Sequence, residues 1–280
     1  QQLTYEEQIR LTLKTDEETL RQAFLSDLVY RRNKSRLACP LGQIRHEFHF
    51  SFSPGCFAMA ILKMDCRVLD NKENLHFMSD KASSILERLL AGFVCEYEVT
   101  NIGSTFYLLL NFQEEQKGNV RRQLKAFLDE IRIQGDILEG FCATMSLGTI
   151  CHEPAGLDAS LKNARLGIEE RLVAGTGKLY EGEFPQYGSF AESPLFLEFN
   201  KKMTQALETL EVSPVRQALM ELKRDLLSRP GVTGHEILQM AKEACNLYLF
   251  SMRNFQIPIE EGFPESFLTG ADNCPSSEEL

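Results

Sequence analysis

Apolar and polar positions along this chain change rhythm from segment to segment. In "TYEEQIRLTLKTDEETLRQAFLSDLVY" the apolar residues Ile9, Leu13, Leu20, Phe24 and Leu28 recur at spacings of four and seven. That periodicity predicts one long amphipathic helix, or two joined near Thr15 and Asp16, with Thr4 and Glu7 as a capping box at its start. Loop chemistry follows to about Pro54, punctuated by Pro40-Leu41-Gly42 and Ser53-Pro54-Gly55. From 56 to 182 short apolar runs alternate with helical patterns. "CFAMAILKMD", "FVCEYEVT", "TFYLLLNF", "GFCATMSLGTIC" and "GKLYEG" predict strands, and "NIGS" predicts a hairpin turn. "SDKASSILERLLAG", with Ser79 as its cap, "EEQKGNVRRQLKAFLDEIRIQ" and "GLDASLKNARLGIEERLVAG" predict the helices between them. The order β-α-β-β-α-β-α-β suits a two-layer α+β sandwich, with helices on one face of a mainly antiparallel sheet.

From 192 onward strand patterns stop. Three helical patterns follow, with Ser193-Pro194 and Ser213-Pro214 each supplying a cap and a proline at the first helical position, and Thr233 with Glu236 forming a capping box. Leu219, Leu222 and Leu226, and Ile237, Met240, Ala241, Ala244, Leu247 and Tyr248, form one wide apolar face each, which predicts a helical bundle. The expected organisation is a helical connector and loop over 1–54, an α+β domain over 55–184, a bundle over 192–270 and the start of a further helix over 271–280, where Ser276 and Glu279 form another capping box. Both ends are expected to continue into a longer protein, since the chain opens on Gln-Gln without a methionine and closes on an incomplete helix start.

Composition narrows the function. With 43% apolar residues the chain can bury one large core or two modest ones. A net charge of −10 argues against nucleic-acid binding by this chain alone, because phosphate contacts need a net basic surface or a dense basic stripe. The one basic cluster, Arg31, Arg32, Lys34 and Arg36, reads as a solvated helix end. No apolar run is long enough to span a bilayer and no signal peptide is visible, so no membrane partner is expected. The eight cysteines never form C-x-x-C and mostly sit in apolar runs, the pattern of reduced, buried thiols in a cytoplasmic protein. His46 and His49 lie three apart, but nothing nearby completes a ligand set, so neither a metal nor a cofactor is expected. The stripe Leu13, Leu20, Phe24 and Leu28, standing on a terminal helix, predicts a weak homodimer, against the alternative that this helix folds back on its own domain.

Three stretches carry a family resemblance: "CFAMAILKMD", "TNIGSTFYLLLNF" and "TMSLGTICHEPAGLDASLKNARLGIEERLVAGTGKLYEG". Together they resemble a degenerate GGDEF-type domain, the catalytic fold of diguanylate cyclases, in its first strand, its signature hairpin and its late Ser-x-Gly strand with the following helix. The whole arrangement resembles the middle region of bacterial AraC-type response-regulator transcription factors of two-component systems. That resemblance implies a receiver domain before this region and two helix-turn-helix motifs after it, with DNA bound only through the downstream part. It also implies where chemistry is missing. Cyclases need carboxylates for two divalent ions; here only Gly103 of the hairpin remains, Ser104, Thr105 and Phe106 replace the acidic and aromatic residues, and Lys63 stands where a metal-ligating aspartate is expected, leaving Asp65 alone. The implied function is a non-catalytic regulatory and dimerisation module in signal transduction. The alternative is a small-ligand or nucleotide sensor using a vacated cleft around Lys63, Asp65 and Gly103.

Overall fold

A computed structural model describes residues 5–30, 39–66, 72–135, 141–185, 193–209 and 211–280. Thr4 and the basic cluster Arg31, Arg32, Lys34 and Arg36 lie outside the described residues, as do the side chains of Ile9 and Leu13. The chain divides into two compact units, Gln1–Ile168 with Gly177–Phe184, and Glu169–Thr176 with Pro185–Leu280.

The first unit is built on a five-stranded sheet. β1 (Cys56–Cys66) is followed by α3 (Lys72–Leu90), the hairpin β2 (Glu96–Ile102) and β3 (Thr105–Phe112), α4 (Lys117–Gly135), β4 (Phe141–Leu147), α5 (Leu157–Glu169) and β5 (Leu179–Glu181); α1 (Tyr5–Tyr30) and α2 (Leu41–Phe48) precede them. The spatial order is β2-β3-β1-β4-β5. All pairs are antiparallel except β4 with β5. The predicted strand-helix order is therefore present in a mixed α+β unit. The two-layer arrangement is not: helices cover both faces of the sheet. Alternate residues of β1 divide between two cores. Ala58, Ala60, Leu62 and Met64 pack with Ala82, Leu86 and Leu90 of α3 and Leu124 and Phe127 of α4. Phe57, Met59 and Ile61 pack with Phe24, Leu25 and Leu28 of α1, Ile44 of α2 and Leu161 and Ala164 of α5. A strand buried on both faces reads as a continuous apolar run, which is what "CFAMAIL" is.

This second core corrects the reading of the first 54 residues. Phe24 is 2% exposed and Leu28 is buried with it, so most of the described stripe is consumed within the chain; Leu20 alone stays 38% exposed. The stretch expected to be loop contains α2, and beyond it Phe50 and Phe52 continue a run of aromatic contacts. Phe24 meets Phe48 and Phe50 at 5.0 and 5.4 Å, Phe50 stacks on Phe52 at 4.1 Å, and Phe52 meets Phe57 edge-on at 5.3 Å. Alternating placement in "FHFSF" lets the three phenylalanines share one side of an irregular segment. α3 begins at Lys72, which places Ser79 inside the helix rather than at its cap.

The second unit contains α6 (Arg171–Ala174), α7 (Pro194–Glu208), α8 (Val212–Leu227), α9 (Gly234–Asn254) and α10 (Phe263–Asn273). Two of the caps form as read: Ser193 accepts from Phe196 N–H at 3.2 Å, and Thr233 and Glu236 form the reciprocal box. Ser213-Pro214 does not, because α8 starts two residues earlier with Glu211 at its cap. α10 is not among the three helices read from the sequence and crosses the boundary expected at 270; beyond it Glu279 N–H donates to Ser276 Oγ at 3.4 Å within a turn. Among the described residues no helix is long and apolar enough to cross a membrane.

At the start of α9, His235 Nδ1 lies 2.7 Å from Glu169 Oε2, and this hydrogen bond raises the histidine pKa above its ordinary 6.5. A folded-state pKa above the unfolded value means that the pair's contribution is fully present below pH 6.5 and is lost as pH rises through the higher folded value. Chemical denaturation from slightly acidic to mildly alkaline pH should therefore show stability of this unit falling. His235→Gln should flatten that part of the profile; an unchanged slope would assign it to other groups.

Candidate functional site

β1 carries chemistry at each of its ends. At the hairpin end, Gly103 has φ +57° while Ser104 stays at negative φ, a two-residue turn with Ile102 paired to Thr105, as II′ geometry requires. A side chain at Gly103 would meet open space, so the residue serves the turn's conformation rather than a close approach. The tip is tied to β1 by Met64 N–H donating to Ser104 O at 2.9 Å. Lys63 faces Thr105 across one ladder and Thr144 across the other, and its ammonium donates to Thr105 Oγ1 at 3.1 Å. Asp65, two residues on and therefore on the same face, pairs with Cys142. Lys63 and Asp65 are only 6% and 5% exposed. Thr144, on this same strip, accepts from Gly177 N–H at 3.0 Å. Of the expected cleft residues, Lys63 and Asp65 thus lie on one buried polar strip, while Gly103 is exposed at the hairpin tip.

The opposite end of β1 is a different environment, built from three segments. Cys56 opens the strand, Glu114 starts the short turn after β3, and His152 follows Cys151, which makes a two-way backbone bridge with Phe57 (2.7 and 2.9 Å). The Cys56 thiol donates to Glu114 Oε2 at 2.7 Å and lies 3.9 Å from His152 Nδ1. The donor atoms of all three residues lie within 4.8 Å of one another. Burial, and then the hydrogen bond to Glu114, push the Cys56 thiol up to about 11, and the same bond holds the Glu114 carboxyl below the usual carboxylate range. A protonated thiol is a poor nucleophile, which argues against a cysteine-histidine catalytic pair.

No family model, curated protein or solved structure matches this chain.

The second unit adds an apolar cavity of about 400 Å³, with Met203, Leu219, Met240, Tyr248 and Phe267 among its walls. Sequence reasoning assigned Leu219, Met240 and Tyr248 to the apolar faces of the bundle, and Leu222, Leu226 and Ile237 of the same faces do lie in its core. What periodicity could not give is the space left between the faces. Nor could it give the cysteine-glutamate-histidine cluster, whose members lie 58 and 96 positions from Cys56 and form no local motif. His46 and His49 are not brought into a ligand set among the described residues; His49 closes α2 in the left-handed conformation, 3.8 Å from Glu17.

Proposed function

We propose that this chain is a non-catalytic regulatory module of a cytoplasmic bacterial AraC-type response regulator, carrying signal from an upstream domain to a downstream DNA-binding domain. The observation that supports the reading is that the strand-helix order the resemblance implies is present, and that Lys63, at the position where the resemblance implies a metal-ligating carboxylate, is buried and donates to Thr105. A weak homodimer remains part of this proposal, but α1 offers little to it. Val212 and Met220 on α8, Leu197 on α7 and Phe250 on α9 are among the large apolar side chains this unit exposes, and they offer more apolar surface for self-association than Leu20 does. The cavity in the helical unit favours a second reading, a sensor of a small apolar ligand, over binding beside the buried Lys63 and Asp65.

Incubation with GTP and Mg²⁺ or Mn²⁺ should yield no cyclic dinucleotide, and GTP should leave the melting temperature unchanged. Turnover abolished by Asp65→Asn would overturn the non-catalytic reading. A melting temperature raised by medium-chain fatty acids, and not raised in a Met240→Trp variant that fills the cavity, would favour the sensor.

A further inference from the structure

We propose that Cys56, Glu114 and His152 form a site for a divalent, borderline-soft metal ion, zinc being the best fit, with a fourth position open to water. The donor set decides the metal. A thiolate with an imidazole disfavours magnesium and calcium, which take oxygen ligands, and the addition of one carboxylate keeps the set within the zinc repertoire. Zn–S near 2.3 Å and Zn–N or Zn–O near 2.1 Å place tetrahedral ligands about 3.6 Å apart. The observed Sγ to Nδ1 separation of 3.9 Å is already close to that value. The Sγ to Oε2 contact of 2.7 Å must open by about 1 Å. Glu114 is exposed and can make that movement without disturbing a core.

The backbone around the three ligands is held in place by contacts that do not use their side chains. Asn111, fully buried, accepts from Ser53 N–H at 2.8 Å and donates to Ser53 O and Cys56 O at 3.0 and 3.1 Å. Gln113 donates to Pro54 O at 3.1 Å. Gly55 brings this loop against the end of β3 so closely that a Cβ there would sit 2.7 Å from Phe112 O. On the third segment, Gly156 leaves room for Cys151, which would otherwise meet a Cβ at 2.5 Å. Lys117 lies 3.8 Å from the other oxygen of Glu114 and can orient the carboxylate from outside the coordination shell. On binding, the thiol proton leaves to solvent, the sulfur becomes a thiolate ligand, and the hydrogen bond from Cys56 to Glu114 is replaced by two bonds to the ion.

Titration of the intact chain with Co²⁺ under reducing conditions tests this. One equivalent should produce a thiolate-to-cobalt charge-transfer band in the near ultraviolet together with visible bands of tetrahedral intensity, and Zn²⁺ should abolish both. Cys56→Ser should remove the charge-transfer band while Cys151→Ala keeps it. His152→Ala and Glu114→Gln, both at exposed positions that leave the fold intact, should each weaken zinc binding at least about tenfold, since even losses outside the coordination shell cost that much. Absence of the band, its persistence in Cys56→Ser, or an unchanged zinc affinity in either His152→Ala or Glu114→Gln would overturn the site.

Discussion

Gly148→Ala should destabilise the sheet unit by about 3 kcal/mol, lowering its melting temperature by about 6 to 12 °C, although the change adds a single methyl group. The methyl carbon would stand 2.0 Å from the carbonyl oxygen of Ser160 and 2.7 Å from its hydroxyl. Backbone on α5 cannot yield as a flexible side chain does. Ser160 Oγ accepts from Met59 N–H at 2.9 Å, beyond the point where β4 stops pairing with β1, while Gly148 N–H donates to Met59 O at 2.8 Å. Leu157, Leu161 and Ala164 are fully buried beside these bonds. A second close approach reinforces the first, since a Cβ on Gly167 would fall 2.2 Å from Ser146 Oγ. The Ser146-Leu147-Gly148 stretch therefore works as a packing device, with small residues on strand and helix meeting each other. Gly118→Ala, where a Cβ would meet nothing, is the control and should change stability by no more than about 1 kcal/mol. Equal effects of the two substitutions in urea unfolding would show that α5 can shift.

Phe24→Ala should cost about 3 to 5 kcal/mol, the range for removing a large aromatic side chain from a packed core. Its ring joins α1 to Phe48 and Phe50 and through them to β1, so its loss opens space between three segments. Leu20→Glu, four residues earlier on the same helix and 38% exposed, should change stability by about 0.5 kcal/mol or less. Urea midpoints at several protein concentrations separate the two roles open to this helix. A loss for Phe24→Ala that is independent of concentration is expected of a residue serving its own chain. A loss seen only at high concentration, matched by Leu20→Glu, would return the stripe to a dimer interface.

What was legible in the sequence is what depends on neighbours along the chain. Strand β3 occupies the run 105–112 as read, β1 extends the predicted strand by one residue, the hairpin turns at Gly103, and the caps at Ser193 and Thr233 form where the polar side chain precedes its helix. These features rest on backbone conformation and on hydrogen bonds spanning three or four residues, so local sequence determines them. The alternation of Phe48, Phe50 and Phe52 also stood in the sequence, but its meaning did not, because a short helix ending in a left-handed His49 changes which way the next residues face. Only tertiary structure decided that both faces of the sheet are covered: a run such as "CFAMAIL" is apolar at every position and does not say which helices will meet either side. It also decided that Lys63 and Asp65 are buried together, and that Cys56, Glu114 and His152 converge, since separations of 58 and 96 positions are closed by strand pairing and by the Phe57 to Cys151 bridge rather than by any local pattern.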